Sequence, residues 1–326
     1  MPMTVNTISF SPEEQEKLQS LTRVVLPLEV PITRDLSDYT DIRRGMVVEL
    51  DDEHYLIVGN MYESRFTLEE YPKYWVKSAI ELKTGMKKIL KWEFNENFVF
   101  PLGLLKIKCY RSAQKEADIL DLVQGNSYFM QGKTVKDSLG TEVKIIDFIY
   151  GNSFYNYIHN LKLDHHNYFQ QLFPDILKHL VHLLTAIAYI HNNDYVHGDI
   201  RNDHIFIDDK NGNFKWIDFD TKQDFDDFDI WSLGNILLFA AGKGVHTFKS
   251  VKTNPDVSAK GAASICKDDS SAFFKHRIMN LQKLFPYIPD KLNRILMHFS
   301  INTTEFYECV MDIILDVEEL LEEMGK

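Results

Sequence analysis

The sequence predicts an α+β protein, with a strand-rich half over about residues 46–150 followed by a helical half over 151–326. Two patterns carry the prediction. In the first half, Val47, Val48 and Leu50, then Tyr55, Ile57 and Val58, flank Asp51-Asp52-Glu53 as two strands flank a turn. In the second, Ile176, Leu177, Leu180, Leu183, Leu184 and Ile187 recur at the i, i+3, i+4 spacing of a helix with one face in a core. The 326 residues suffice for two domains at about 150 residues each, both large enough to bury a core.

The elements follow in order. Ser11 as N-cap, Pro12 at the first helical position and Glu13–Glu14 in the first turn open a helix, where acidic side chains suit the dipole. Further strands are predicted at 74–82, 87–94 and 104–110, with Lys83-Thr84-Gly85 as a tight connection and Phe98–Tyr110 as a hairpin. A helix follows at 112–124, then strands near 127–131 and 142–149. Strands at 204–208 and 213–217 are joined by a Lys210-Asn211-Gly212 turn. The Lys/Ser/Gly-rich stretch 243–271 reads as a long exposed loop, and His165–His166 as solvated.

Composition narrows the function. With 36 basic against 48 acidic residues the net charge is −12, which argues against a general nucleic-acid or anionic-membrane binder. Cys109, Cys266 and Cys309 form no Cys-x-x-Cys pair, as expected of reduced thiols. The start has no basic region leading into an apolar run, and the longest apolar runs fall short of the ~20 residues of a membrane span. The expectation is a cytoplasmic protein without a membrane span.

Four segments hold the chemistry: Thr84 to Lys91, ending a strand; Lys115-Glu116 on a helix; His197-Gly198-Asp199-Ile200-Arg201-Asn202-Asp203-His204 after a long apolar helix; and Asp218-Phe219-Asp220 with Asp229-Ile230-Trp231-Ser232-Leu233-Gly234. Singly, each has an ordinary structural reading, as a solvated lysine, a surface carboxylate or a turn aspartate. Together, Asp199 and Asp218 stand 19 residues apart, room for a short hairpin that would bring both carboxylates to one cleft.

On these residues the chain resembles the protein kinase-like superfamily over roughly 50–320. His197-Gly198-Asp199 is similar to the catalytic-loop His-Arg-Asp, and Asp218-Phe219-Asp220 to Asp-Phe-Gly. Ile145–Gly151 resembles the hinge with Ile146 near the gatekeeper, and 288–320 resembles the last helices of bacterial Ser/Thr kinase domains. The resemblance implies a bilobal kinase-like fold: an N-terminal extension at 1–45, a β-rich N-lobe at 46–150 and an α-helical C-lobe at 151–326. It implies ATP with Mg²⁺ (or Mn²⁺) as cofactors. Lys91 would contact the α/β-phosphates and be held by an ion pair with Glu116, with Lys106 and Lys108 as rival lysines, and Asp147 and Ile149 would serve the adenine. Asp218 and His204 would hold the metal, Asp199 would take the acceptor proton and Arg201 would brace the γ-phosphate. His197 and Asp229 would support the loop, with Trp231 and Leu233 in the core.

The departures bear on the substrate. His204 stands where a metal-binding Asn is usual, as in lipopolysaccharide-core sugar kinases; it reads equally as a packed strand-edge histidine. The stretch from Gly59 to Val76 lacks the glycines of a nucleotide-covering loop, so Arg65 or Lys73 would contact phosphate by side chain instead. Only ten residues lie between Asp218 and Asp229, too few for a peptide-docking activation segment. The sequence thus points to an atypical ATP-dependent kinase acting on a hydroxyl, protein Ser/Thr slightly favoured. A sugar or aminoglycoside-like phosphotransferase, a pseudokinase binding module, and nucleotidyl rather than phosphoryl transfer are the other readings, among which fold does not choose.

Overall fold

The computed structural model describes residues 6–64 and 70–325, so Arg65 lies outside the described residues. In chain order the elements are β1 (Thr7–Ser9), α1 (Pro12–Thr22), β2 (Glu29–Thr33), β3 (Val47–Leu50), β4 (Glu53–Ser64), β5 (Glu70–Glu81), β6 (Lys87–Trp92), β7 (Asn97–Leu102), β8 (Leu105–Arg111), α2 (Ala113–Leu122), β9 (Gly132–Lys136) and β10 (Glu142–Asp147). Then come β11 (Gly151–Ser153), α3 (Phe154–Asn160), α4 (His165–Gln171), α5 (Phe173–His191), β12 (Ile205–Asp208), β13 (Phe214–Trp216), β14 (Thr221–Gln223), α6 (Phe228–Ala241), α7 (Ala259–Ser264), α8 (Asp290–Met297) and α9 (Val310–Met324). The class is α+β, strands first and helices after.

Residues 1–94, 123–125 and 130–148 form one compact unit. Its sheet runs β1-β2-β3-β4-β5-β6-β10-β9, antiparallel except for the parallel β2–β3 pair. Asp51 and Asp52 both have φ near +55 to +60, the conformation a two-residue hairpin turn demands and one Asp tolerates. One sheet face buries Leu50, Tyr55, Ile57, Leu90, Trp92, Val143 and Ile145 under Leu36 and Ile42. Trp92 Nε1 fixes that cover by donating to Leu36 O at 2.9 Å. The other face, at its β3–β4–β5 end, carries Val47, Leu56 and Ile80 beneath Phe10, Leu18 and Val24. The leading residues thus cover both faces of the sheet. Ser11 and Glu14 close the capping box of α1, as their spacing foretells.

Residues 95–122, 126–129 and 149–326 form the second unit. α5 is the one described helix long and apolar enough to cross a membrane. Its Ile176, Leu180, Leu183, Leu184 and Ile187 are nevertheless buried within the unit, and Leu183 O receives Trp216 Nε1–H at 3.0 Å. Two small sheets flank the helices, β11-β12-β13 and β14-β8-β7. The second contains the expected 98–110 hairpin, turning at Gly103, whose φ is 63.

Three local expectations are corrected. The strand expected at 127–131 lies at Gly132–Lys136 instead. Phe129 is held in an isolated bridge to Trp216 and packs edge-on to Phe219 at 6.1 Å, so long-range packing takes the segment before a strand can form. The 243–271 stretch is not a plain exposed loop: it holds α7 and buries His246, Val251, Val257 and Asp269. Asp269 anchors it through Lys283 at 2.7 Å and Asn280 at 2.8 Å. His165 is buried rather than solvated, stacked on Phe285 at 3.6 Å, with Nε2–H donating to Ala241 O and Nδ1 accepting from Tyr287 OH. Desolvation pulls its pKa down to about 4.

Candidate active site

The 197–204 loop is braced from two sides. Asp229, in the first turn of α6, accepts His197 N–H at 2.7 Å, Gly198 N–H at 2.8 Å and His191 Nε2–H at 2.9 Å. Burial alone would favour its neutral form, but these donors hold the carboxyl below the usual aspartate range. From α2, Lys115 donates to His197 O at 2.8 Å and Thr221 O at 2.5 Å. Burial pulls that ammonium down to about 8, although Asp229 and Asp220 pull the other way. Gly198 has φ 82, and a Cβ there would stand 2.0 Å from Thr221 O, which explains Gly between His197 and Asp199. His197 is buried against Trp216, its pKa pulled to about 3 by desolvation; it supports the loop from below.

On this base stand the groups with chemistry to offer. His204 Nδ1 lies 2.8 Å from the backbone oxygen of Asp199. A carbonyl only accepts, so Nδ1 carries a proton. The ring's Nε2 is 3.9 Å from Asp218 Oδ2, while Nδ1 is 3.5 Å from Asp199 Oδ2. The ring thus stands between the two aspartates that sequence spacing paired. Burial pushes the Asp199 carboxyl up from the ordinary range, with His204 and Arg201 pulling it down. Glu116, Asp218 and Asp220 each offer a carboxylate oxygen within 4.8 Å of the others, a hard donor set suited to a divalent cation. Arg201 is engaged with Asp203, Nε to Oδ1 at 3.0 Å, and Asn202 Oδ1 is buried with no hydrogen-bond partner.

The short segment after Asp218 is stitched to the hairpin. Arg111 meets Asp220 with two bonds from Nη1, at 3.0 and 2.9 Å, and Glu96 at 3.1 Å. Burial opposes the Arg111 charge, but Asp220 and Asp218 outweigh it and raise the pKa. Ser112 N donates to Asp220 O at 2.7 Å, and Lys108 N to Asp224 Oδ1 at 2.8 Å. β14 pairs with β8, Thr221 opposite Arg111, while Leu102, Ile107, Cys109 and Phe228 form the apolar cluster of the hairpin.

In the first unit, Lys91 lies buried on β6, whereas the rival Lys106 and Lys108 are exposed on β8. Asp147 is exposed, ion-paired to Lys88 at 2.7 Å, its N–H donating to Gln131 O. Ile146 is buried and Lys73 half-buried. Ile149 begins the stretch belonging to the second unit. Sequence reasoning placed Lys115 in a segment that holds chemistry but gave it no role, and passed over Lys144, buried on β10 with no local signal.

No family model matches the chain, and no curated protein matches it. Among solved structures it is similar to the kinase PK-1 of the Cydia pomonella granulovirus, at 13% identity and a TM-score of 0.45, over 73% of this chain and 88% of that one. A likeness of that size assigns no role to any residue.

Proposed function

We propose that the chain is an atypical kinase-like phosphotransferase that moves the γ-phosphoryl group of ATP to a hydroxyl acceptor. The observation that carries the reading is the His204 ring held between Asp199 and Asp218, with its Nε2 3.9 Å from an Asp218 oxygen. Phosphoryl transfer needs alignment and charge neutralisation more than covalent help, and this arrangement offers a base on one side of the ring and a metal ligand on the other. Asp218 and His204 would hold a divalent cation, for which carboxylate with imidazole suits Mn²⁺ as well as Mg²⁺. When bound, that ion neutralises phosphate charge.

The chain's own residues supply the remaining steps. Asp199, its carboxyl pKa raised by burial, takes the acceptor hydroxyl proton as the oxygen attacks the γ-phosphorus. The bond from that phosphorus to the β–γ bridging oxygen breaks and ADP leaves. Lys91 would serve the nucleotide phosphates, Arg201 would brace the γ-phosphate, and Asp147 and Ile149 would meet the adenine. A protein Ser/Thr hydroxyl is the first acceptor to test. A small-molecule hydroxyl is the second reading, favoured by the ten residues from Phe219 to Phe228, part of them spent in β14.

The test is incubation with γ-labelled ATP and Mg²⁺ or Mn²⁺, beside Asp199→Asn and Asp218→Ala. The reading expects label transfer or ATP turnover that falls at least about 100-fold in both variants. Transfer surviving Asp199→Asn would sink the mechanism. Label carried from the α-phosphate would indicate nucleotidyl transfer, and silence with both metals would favour a binding module.

A further inference from the structure

We infer that Lys115 is a positioning residue for the transfer, its buried ammonium fixing Asp199 and Asp218 relative to each other. The inference deepens the phosphotransferase reading and rests on it. Every residue involved belongs to the second unit. Lys115 lies in α2 and is 2% exposed. Its Nζ donates to His197 O at 2.8 Å and to Thr221 O at 2.5 Å. The first acceptor stands two residues before Asp199, and the second three residues after Asp218. One side chain thus ties together the two segments that carry the pair. It grips main-chain oxygens, so it fixes the course of both segments rather than a rotamer in either.

Three further observations converge on the same atoms. The peptide unit between His197 and Gly198 is planar, so its C=O and N–H turn together. Its oxygen takes the Lys115 ammonium, and its N–H donates to Asp229 Oδ1 at 2.8 Å. A charged partner at each end holds that plane in one orientation, and Asp199 follows directly, its own N–H donating to His197 Nδ1 at 3.3 Å. Separately, a Cβ on Gly198 would stand 3.1 Å from Lys115 Nζ and 2.0 Å from Thr221 O. The glycine lets both segments and the ammonium close on one point. The start of α2 is fixed to the same place. Ser112 N–H donates to Asp220 O at 2.7 Å, and Ser112 Oγ accepts Lys115 N–H at 3.3 Å. The lysine therefore reaches out from a base already tied to the segment after Asp218. A displacement of about 1 Å near reacting groups can cost about 100-fold in rate, so a clamp here bears on turnover more than on nucleotide affinity.

The test is steady-state ATP turnover by the full chain with saturating Mg²⁺ or Mn²⁺, for the wild type, Lys115→Met and Lys115→Gln, each below its melting temperature. Lys115→Met should lower kcat by about 10-fold or more while KM for ATP stays within about 2-fold. Lys115→Gln, which keeps a donor without the charge, should lose less than Lys115→Met. A lysine serving stability alone would leave the kcat of the folded protein at the wild-type value. Wild-type kcat in folded Lys115→Met, or a change confined to KM, overturns the inference and leaves the phosphotransferase reading standing. A wild type that turns over no ATP with either metal removes both. Should Lys115→Met fail to fold, Lys115→Gln decides alone: a wild-type kcat there overturns the inference, and a lowered kcat at unchanged KM supports it.

Discussion

The backbone of the 197–204 loop and the sheet face of the first unit that carries Ser78 and Thr134 treat buried polar groups differently. In the loop, the His197 and Gly198 amides end on Asp229, and the His197 carbonyl receives the Lys115 ammonium. On the sheet face, the Ser78 and Thr134 hydroxyls end on nothing. In the loop the backbone groups are met by side chains of α2 and α6, although Asn202 Oδ1 is not; on the sheet face the two hydroxyls are left unmet. Satisfied backbone groups hold a loop in one conformation, whereas unmet buried hydroxyls carry an uncompensated desolvation cost.

The comparison breaks most visibly at Asp229. Asp229→Ala strips three donors of their acceptor and should cost about 3–5 kcal/mol, read as a lowered urea midpoint with unchanged slope. A loss under about 1 kcal/mol would mean the loop is held by other contacts. Another completed group of the second unit, His165, gives the next effect. Its folded pKa of about 4 lies below the ordinary 6.5, so the unfolded chain binds the extra proton between those values. Stability should therefore fall as pH drops from 6.5 towards 4, by about 3 kcal/mol from this group, and a His165→Gln variant should show a shallower acid limb in thermal melts. Ser78→Ala gives the smallest effect and the opposite expectation. Removing an unmet hydroxyl should leave the ligand-free protein unchanged or stabilise it by up to about 1 kcal/mol, measured by the same urea titration. Destabilisation there by as much as Asp229→Ala would erase the distinction between the two regions.

What the sequence made legible was local. The Ser11–Glu14 cap, the Asp51–Asp52 turn, the 97–111 hairpin and the periodicity of α5 each follow from neighbours a few residues apart. Asp199 and Asp218 were legible by spacing, and His204 by its offset from Asp199. The misses depended on distant partners. Phe129 leaves its expected strand for Trp216, and the 243–271 stretch hides buried anchors in polar composition. Lys144 sits in a strand that reads Val-Lys-Ile-Ile, where nothing marks the lysine until β10 is laid against β6. Register, which sequence periodicity leaves open, decided its neighbour.

The pairing of β14 with β8 carries a consequence for motion. A strand of three residues has little stability of its own. Laid against a hairpin of the same unit, with Asp220 clasped by Arg111, it opens only when that hairpin opens. Thr221–Gln223 and the β8 residues opposite them therefore belong to one cooperative opening event, and their amides should exchange with solvent deuterium at a common rate. The timing of access to the segment after Asp218 is then set by a ribbon formed 110 residues earlier in the chain, Arg111 to Thr221.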